Sequence, residues 1–423
     1  MLPLFESAED FLRQQDISFA LDADLFNQVA QIIQQVREEG DGALTYFTQK
    51  FDGIVLENLR VPVEAIRSAR DDLAEGIKDL LLSAIESVRH FHLQQRPKSW
   101  IEEAADGTRL GMQFTPINQV GIYIPGGTAA YPSTAIMTVV PAQIAGVERL
   151  VLVSPPKKDG SINPYVLAVA GLLGVTEIYT IGGAQAIAAL AYGTESVPKV
   201  DKIFGPGNAY VNEAKRQVFG AVGVDGLAGP TEVVILADEY ASPEYVVRDL
   251  LAQAEHDTEA RGILLTTSRE LAKRVQAKAA LIIKKTERAG ILQTALEKFG
   301  AVVLISNLKE GVQLINELAP EHVQIVTQNP EKLLPDIRNA GAICLGAFTP
   351  AVVGDYCAGP NHVLPTRKNA KFSSPLNVLD FMKFSSIINY SRERFDRDAR
   401  KIAKFAELEG LINHKNAITC RYE

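Results

Sequence analysis

The sequence predicts an α/β protein with parallel β-sheets, divided into more than one domain. From Gln119 onward, short runs rich in β-branched residues alternate with helical segments, the signature of βαβ units. A chain of 423 residues also exceeds what one hydrophobic core usually supports. Third, glycine-rich turns follow several expected strands, where open parallel sheets bind their ligands.

In chain order, residues 1–22 read as an amphipathic N-terminal arm. Helical periodicity runs from Leu25 to Glu39, with Asp24 placed to serve as its N-cap. A second helical run from Pro62 to about Gln95 carries Ala65, Ile66, Leu73, Ile77, Leu80, Ile85 and Val88 at helical spacing. His90 and His92, beside Arg89 and Arg96, are expected to be exposed or interfacial. Strands are expected at 119–124, 149–153, 177–181, 201–204, 232–236, 262–267, 301–305, 323–327 and 342–345. A helix at 311–318 precedes the strand at 323, and a last helix spans Ser391 to Leu408. The tail EGLINHKNAITCRYE carries Glu409, His414 and Lys415 before an apolar Ala417-Ile418 pair, so it looks docked. No internal repeat or low-complexity tract is visible.

Composition narrows the function. With 47% hydrophobic and 22% charged residues, the chain is an ordinary globular one. A formal charge of -8 argues against a nucleic-acid or anionic membrane partner. Apolar runs break within about a dozen residues, short of the roughly 20 that a membrane span needs. The opening MLPLFESAEDFLRQQD lacks the basic and apolar regions of a secretory signal. Cys344, Cys357 and Cys420 are widely spaced without a CxxC, which fits a reducing cytoplasm and neither a disulfide framework nor a thiolate zinc finger.

Four clusters could carry chemistry. The loops PGGTAAYPST (125–134), GGAQAIAA (182–189) and GPGNAY (205–210) let the backbone approach a phosphate or ribose at a helix N-terminus. None is a GxGxxG or Walker loop, and tight packing is the alternative use of such glycines. In LLAQAEHDTEA (250–260), Gln253 and His256 stand three apart on an expected helix and face one side, within reach of one ion. An ordinary helix C-terminus remains the other possibility there. In APEHV (319–323), Glu321 and His322 would point to opposite faces of an extended segment, but a turn after proline lets both line one cleft as general-base candidates. GDYCAGPNHVLPT (354–366) sets Asp355, Tyr356, Asn361 and His362 among glycines and prolines, an irregular segment that a bound ion or substrate would order.

Together with VGIYIPGG, GGAQAIAALAYGTESVPKVDKIFGPGNAYVNEAKR, AGPTE and HKNA, these strings occur in an order that resembles the histidinol dehydrogenase family, zinc- and NAD-dependent enzymes that end histidine biosynthesis. Spacing alone favours His322 and His362 over Gln253 as metal ligands. The resemblance instead implies zinc on Gln253, His256, Asp355 and His414, an N/O donor set without thiolate that leaves the ion Lewis-acidic. It implies Glu321 and His322 as the acid-base pair, and Tyr123, Gln185 and Asn208 as NAD contacts. Substrate contacts would fall on Thr231, Gln253, His256, His322, Asp355, His362, Glu409 and His414. Thr231 stands where the family usually has serine. RKNAKFSS (367–374) lacks the glycine and arginine often found after HVLPT, and Phe384 replaces a commonly basic residue.

The implied architecture is two intertwined, incomplete Rossmann-like domains with parallel sheets, plus the N-terminal arm and a small C-terminal helical tail. The first domain would take residues 23–121 and 233–378, the second, NAD-binding one 122–232, and the dimerisation tail 379–423. The implied activity is the four-electron oxidation of L-histidinol by a cytoplasmic homodimer whose tail completes the partner's site. A same-fold dehydrogenase of another small hydroxylated substrate is the alternative.

Overall fold

The computed structural model describes residues 2–14, 22–126 and 131–422. β1 (Leu4–Phe5) and α1 (Ala8–Gln14) precede four helices, α2 (Ala23–Glu39), α3 (Asp41–Asp52), α4 (Val63–Asp71) and α5 (Glu75–Leu93). Strands β2 (Trp100–Glu103) and β3 (Arg109–Pro116) follow. A first alternation comprises β4 (Gln119–Tyr123), α6 (Pro132–Ala145), β5 (Arg149–Ser154), α7 (Pro164–Leu172), β6 (Ile178–Thr180), α8 (Gly183–Tyr192), β7 (Lys202–Phe204), α9 (Ala209–Val218) and β8 (Gly223–Val224). A second comprises β9 (Glu232–Ala237), α10 (Pro243–Ala254), β10 (Arg261–Thr266), α11 (Arg269–Ile283), α12 (Ala289–Lys298), β11 (Ala301–Leu304), α13 (Leu308–Leu318), β12 (His322–Val326) and β13 (Ala342–Leu345). The chain ends with α14 (Ala351–Tyr356), β14 (Met382–Asn389), α15 (Arg392–Leu408) and α16 (Ile412–Thr419).

Two parallel sheets organise the molecule. One is 5-stranded in the order β6-β5-β4-β7-β8, the other 6-stranded in the order β1-β11-β10-β9-β12-β13. In each, the strand order reverses beside the first strand of its alternation, between β4 and β7 and between β9 and β12. Such a reversal leaves a crevice, because the helices on either side diverge onto opposite faces. Alternation along the strands supplies both faces with apolar side chains. Val120 and Ile122 of β4 enter one core with α6 and α7, while Tyr123 enters another with α2 and α8. In the larger sheet Val233 and Ile235 face α10, and Val234 and Leu236 face α13.

Every strand expected from sequence is present within one or two residues at its ends. Other expectations need correction. Asp22, not Asp24, caps α2, accepting from the Asp24 and Leu25 amides at 3.0 Å, because the helix begins at Ala23. The run 62–95 is two helices, since α4 packs on α7 and α5 on α6 and the chain must turn between these partners. His92 is buried rather than exposed. Part of the N-terminal arm joins the larger sheet, with β1 pairing parallel to β11; the rest of the arm, 15–21, lies outside the described residues.

A third, antiparallel sheet, β14-β3-β2, escaped the sequence pattern because β2 and β14 have no apolar alternation to reveal them. Arg397 donates to Asp106 of the β2–β3 turn at 2.7 Å, tying α15 to this sheet. Trp100, Ile101, Leu110, Phe384 and Ile388 of the sheet are exposed, as are Phe405, Leu408 and Ile412 of the helical tail. The tail, which looked docked in sequence, packs within the chain on α15. Among the described residues, no helix is long and apolar enough to cross a membrane.

Candidate active site

The acid-base candidates sit where β12 begins. Helix α13 ends at Ala319 in a left-handed conformation (φ 44°), and Pro320 then turns the chain into the strand. The turn brings Glu321 and His322 to one cleft, with Glu321 Oε2 3.6 Å from His322 Nδ1. Both are buried.

The surrounding hydrogen bonds fix direction. The Glu232 amide at the start of β9 donates to Glu321 Oε2 at 2.9 Å, and the Thr231 hydroxyl donates to the same oxygen. A hydroxyl with its one proton on a carboxylate can only accept from elsewhere, and Gln253 Nε2 donates to Thr231 Oγ1. Gln253 therefore turns its amide nitrogen toward Thr231 and leaves its carbonyl oxygen for another partner. His322 Nδ1–H donates to the Glu232 carbonyl at 3.2 Å, so in the neutral ring Nε2 carries the lone pair.

Burial alone would raise Glu321, but His322, the Thr231 hydroxyl and the Glu232 amide together hold it below the usual carboxylate range. Burial would lower His322, and the Glu321 carboxylate, helped by Asp355, outweighs it and raises the imidazole's proton affinity. Glu232 is pushed up to about 7 by burial, only partly offset by Arg261.

A cavity of about 650 Å³ opens beside this pair, lined by His322, Asp355 and His362 among apolar groups such as Phe91, Leu376 and Leu379. The short helix α14 carries Asp355, and the irregular segment after it carries His362, whose Nδ1 donates to the Asp355 carbonyl at 3.0 Å. Burial lowers His362, with Asp355 opposing. His92 supports this wall from behind. Its Nδ1–H donates to the Val88 carbonyl at 2.8 Å and its Nε2 faces Asn361 Nδ2 at 3.3 Å, while that amide also donates to the Met137 carbonyl at 2.6 Å. A neutral ring is required for that pattern, and burial lowers His92 accordingly. Its only sequence signal was the place of position 92 on the apolar side of its helix.

Gln253 lies in the last turn of α10, but His256 lies beyond the helix rather than on it. Its Nδ1–H donates to the Gln253 carbonyl at 3.2 Å, leaving Nε2 outward, the orientation that backbone carbonyls impose on metal-binding imidazoles. The donor chemistry of Gln253, His256 and Asp355 thus fits a zinc ion. His414 and Glu409 are exposed on the tail. Among the described residues of one chain, no three His, Cys, Asp or Glu side chains form a metal-holding group.

At the other sheet, Tyr123 ends β4, Gln185 lies in the first turn of α8 and Asn208 caps α9, all at the carboxyl edge beside the strand-order reversal. The Tyr123 hydroxyl accepts from the Gly183 amide at 3.2 Å, and burial pushes its pKa up to about 12. Gln185 is buried, yet its Oε1 has no hydrogen-bond partner. Such an orphaned acceptor fits a site that awaits a donor from a ligand. The glycines here also serve packing: a Cβ on Gly182 would lie 2.4 Å from Pro155 Cβ, and one on Gly205 2.0 Å from the Tyr123 carbonyl oxygen. Of the loop 125–134, positions 127–130 lie outside the described residues.

A family model for histidinol dehydrogenase matches residues 18–422. The chain belongs to the histidinol dehydrogenase family. Among its relatives, the histidinol dehydrogenase of Halalkalibacterium halodurans is 52% identical over 94% of both chains, and that of Geobacillus kaustophilus 50% identical over 93% of both. The crystal structure of histidinol dehydrogenase from Elizabethkingia anophelis superposes with a TM-score of 0.93 at 34% identity, covering 99% of this chain and 97% of the other. An acetylating aldehyde dehydrogenase from Geobacillus thermoglucosidasius shares the fold alone, with a TM-score of 0.50 at 13% identity.

Proposed function

We propose that this histidinol dehydrogenase family member oxidises L-histidinol to L-histidine through L-histidinal, with NAD as oxidant and zinc as substrate anchor, in the last step of histidine biosynthesis. The observation that carries this reading is the hydrogen-bonded Gln253–Thr231–Glu321 chain beside His322 at the cavity of Asp355 and His362, in a chain with such close relatives.

His322 Nε2 takes the hydroxyl proton in the first half-reaction, its ring fixed by the Glu232 carbonyl. In the second half, the Glu321 carboxylate draws a proton from water as it adds to the aldehyde carbon, giving the monoanion of the hydrate, which can lose a second hydride to leave the carboxylic acid. Thr231 and the Glu232 amide hold that carboxylate in place and keep it ionised. Zinc, held by Gln253, His256, Asp355 and His414, would bind the imidazole and amine of the substrate and reduce the entropy cost of reaction. NAD, beside Tyr123, Gln185 and Asn208, would supply the hydride acceptor. His362 and Glu409 contact the substrate, Glu409 pairing with its ammonium group.

His414 and Glu409 come from the partner subunit in this scheme. The exposed apolar side chains on β2, β3, β14, α15 and α16 support a homodimer, since a second subunit could cover apolar groups that a monomer leaves in water. The two sheets would be the cores of two domains, 23–121 with 233–378 and 122–232, followed by a dimerisation tail at 379–423. Three free cysteines accord with a cytoplasmic enzyme.

Purified, zinc-loaded protein is expected to reduce about two NAD per L-histidinol, one for each hydride that leaves. Preferential turnover of another alcohol would reject the substrate assignment.

A further inference from the structure

Lys215 of α9 is 1% exposed, and its ammonium donates to the Gly205 carbonyl at 2.7 Å, to the Gly226 carbonyl at 3.2 Å and to Asp225 Oδ1. Asp225 Oδ2 in turn accepts from the Gly205 amide at 2.8 Å. The buried ion pair therefore grips the backbone on both sides of Gly205, at its N–H and at its C=O. A well-packed apolar pair usually stabilises a core as well as a buried ion pair does, so the charges call for another reason. Gly205 itself (φ 109°) lies against the Tyr123 carbonyl.

One turn earlier on α9, Asn212 forms a second tie. Its Nδ2 donates to the Gly207 carbonyl at 3.0 Å and to the Ala228 carbonyl, and its Oδ1 accepts from the Ala228 amide at 3.1 Å. Loop 205–208 is thus fastened twice to residues 225–228. Those residues continue through Gly229, whose amide donates to Thr366 Oγ1, to Thr231, whose hydroxyl holds Glu321. One strap of chain, 225–231, runs from the loop that carries Asn208 to the general base.

We propose that Lys215, Asp225 and Asn212 are positioning residues that set the cofactor loop in register with Glu321 through this strap. The inference rests on the reading that the carboxyl edge of the 5-stranded sheet takes NAD. The three side chains touch no ligand themselves; they act by fixing where the cofactor lies relative to the base, and small misplacements of reacting groups are costly.

The test compares Asn212→Ala, Lys215→Met and the double variant Lys215→Met/Asp225→Leu with wild type. NADH affinity is read by fluorescence titration, with zinc content, melting temperature, and KM and kcat for each substrate alongside. Both single variants are expected to weaken NADH binding about tenfold, with zinc content unchanged and KM for histidinol within about twofold. The double variant is expected to recover the melting temperature lost in Lys215→Met while its NADH affinity stays low, a split that a purely structural ion pair would not produce. Should NADH affinity return together with stability, the pair is structural and the proposal falls. Wild-type affinity in Asn212→Ala would overturn it even if Lys215→Met failed to fold. A wild-type protein that binds no NADH would remove the cofactor reading itself, and the proposal with it.

Discussion

The two parallel sheets are built alike, yet their proposed chemistry lies at opposite ends. In the 5-stranded sheet, Tyr123, Gln185 and Asn208 gather at the carboxyl edge, beside the reversal between β4 and β7. In the 6-stranded sheet, Thr231, Glu321 and His322 gather where β9 and β12 begin, at the amino edge. A cavity of about 390 Å³ does lie at its carboxyl edge, lined by Asp238, Thr267 and Thr327 among others. There the Asp238 carboxylate already accepts from the Gln328 amide at 2.8 Å and the Tyr240 amide at 3.1 Å.

Helix polarity explains the difference. At the carboxyl edge of the smaller sheet, α8 and α9 present their N-termini, whose unpaired amides and positive dipole ends suit a phosphate. At the amino edge of the larger sheet, α10 presents its C-terminus, with Gln253 in the last turn, and the negative dipole end there suits a cation. In the proposed scheme one fold thus serves an anion at one edge and a cation at the other. An enzyme that joins a dinucleotide to a metal-held substrate needs both.

That division can be broken experimentally. The largest effects belong to the amino edge: His322→Asn is expected to cut the first half-reaction on the order of a thousandfold, while Glu321→Gln impairs histidinal oxidation more. Equal loss of both half-reactions in both variants would show that the two residues do not divide the work. Next comes His414→Asn, for which zinc retention after dialysis should fall roughly a hundredfold with NADH binding unaffected. Unchanged metal content would remove His414 from the donor set.

At the carboxyl edge of the smaller sheet, Gln185→Leu should weaken NADH binding about tenfold and leave zinc content alone. A loss of zinc instead would merge the two sites that the sheets keep apart.

The smallest effect concerns Asp249 on α10, which burial raises to about 6 despite the hydrogen bond from Gln324. Its folded pKa lies above the unfolded value, so the contribution of Asp249 to stability is most favourable at low pH and declines as pH rises from about 4 to about 6. Asp249→Asn should therefore stabilise the protein by roughly 1 kcal/mol at pH 8 and by nothing at pH 4, as read from denaturant midpoints. It would also offer a donor to Gln324 Oε1, which has no partner. Equal stability at pH 8 would mean that the helix beneath the cation site tolerates the charge.

The carboxyl-edge rule, applied to the strand pattern, led directly to the loops at 182–189 and 205–210, because glycine and helix-start signals are local. The same rule pointed away from Thr231 and Glu321, which precede their strands. APEHV left two geometries open, and only the left-handed Ala319 and the turn at Pro320 bring Glu321 beside His322. His92 was misjudged for a similar reason: Asn361, which faces its Nε2, and Met137, whose carbonyl holds that Asn361 amide, are distant in the chain.

By itself, the sequence determined the α/β class, the order of strands and helices, and the residue types that could bind an ion or move a proton. These follow from periodicity and side-chain chemistry, which are properties of neighbouring residues. Tertiary structure alone decided at which edge of each sheet the candidate residues gather, which atom of Gln253 and His322 is left available, and which buried charges clamp the loop at Gly205. Those depend on groups far apart in the chain meeting at hydrogen-bond distance, and no local pattern records such meetings.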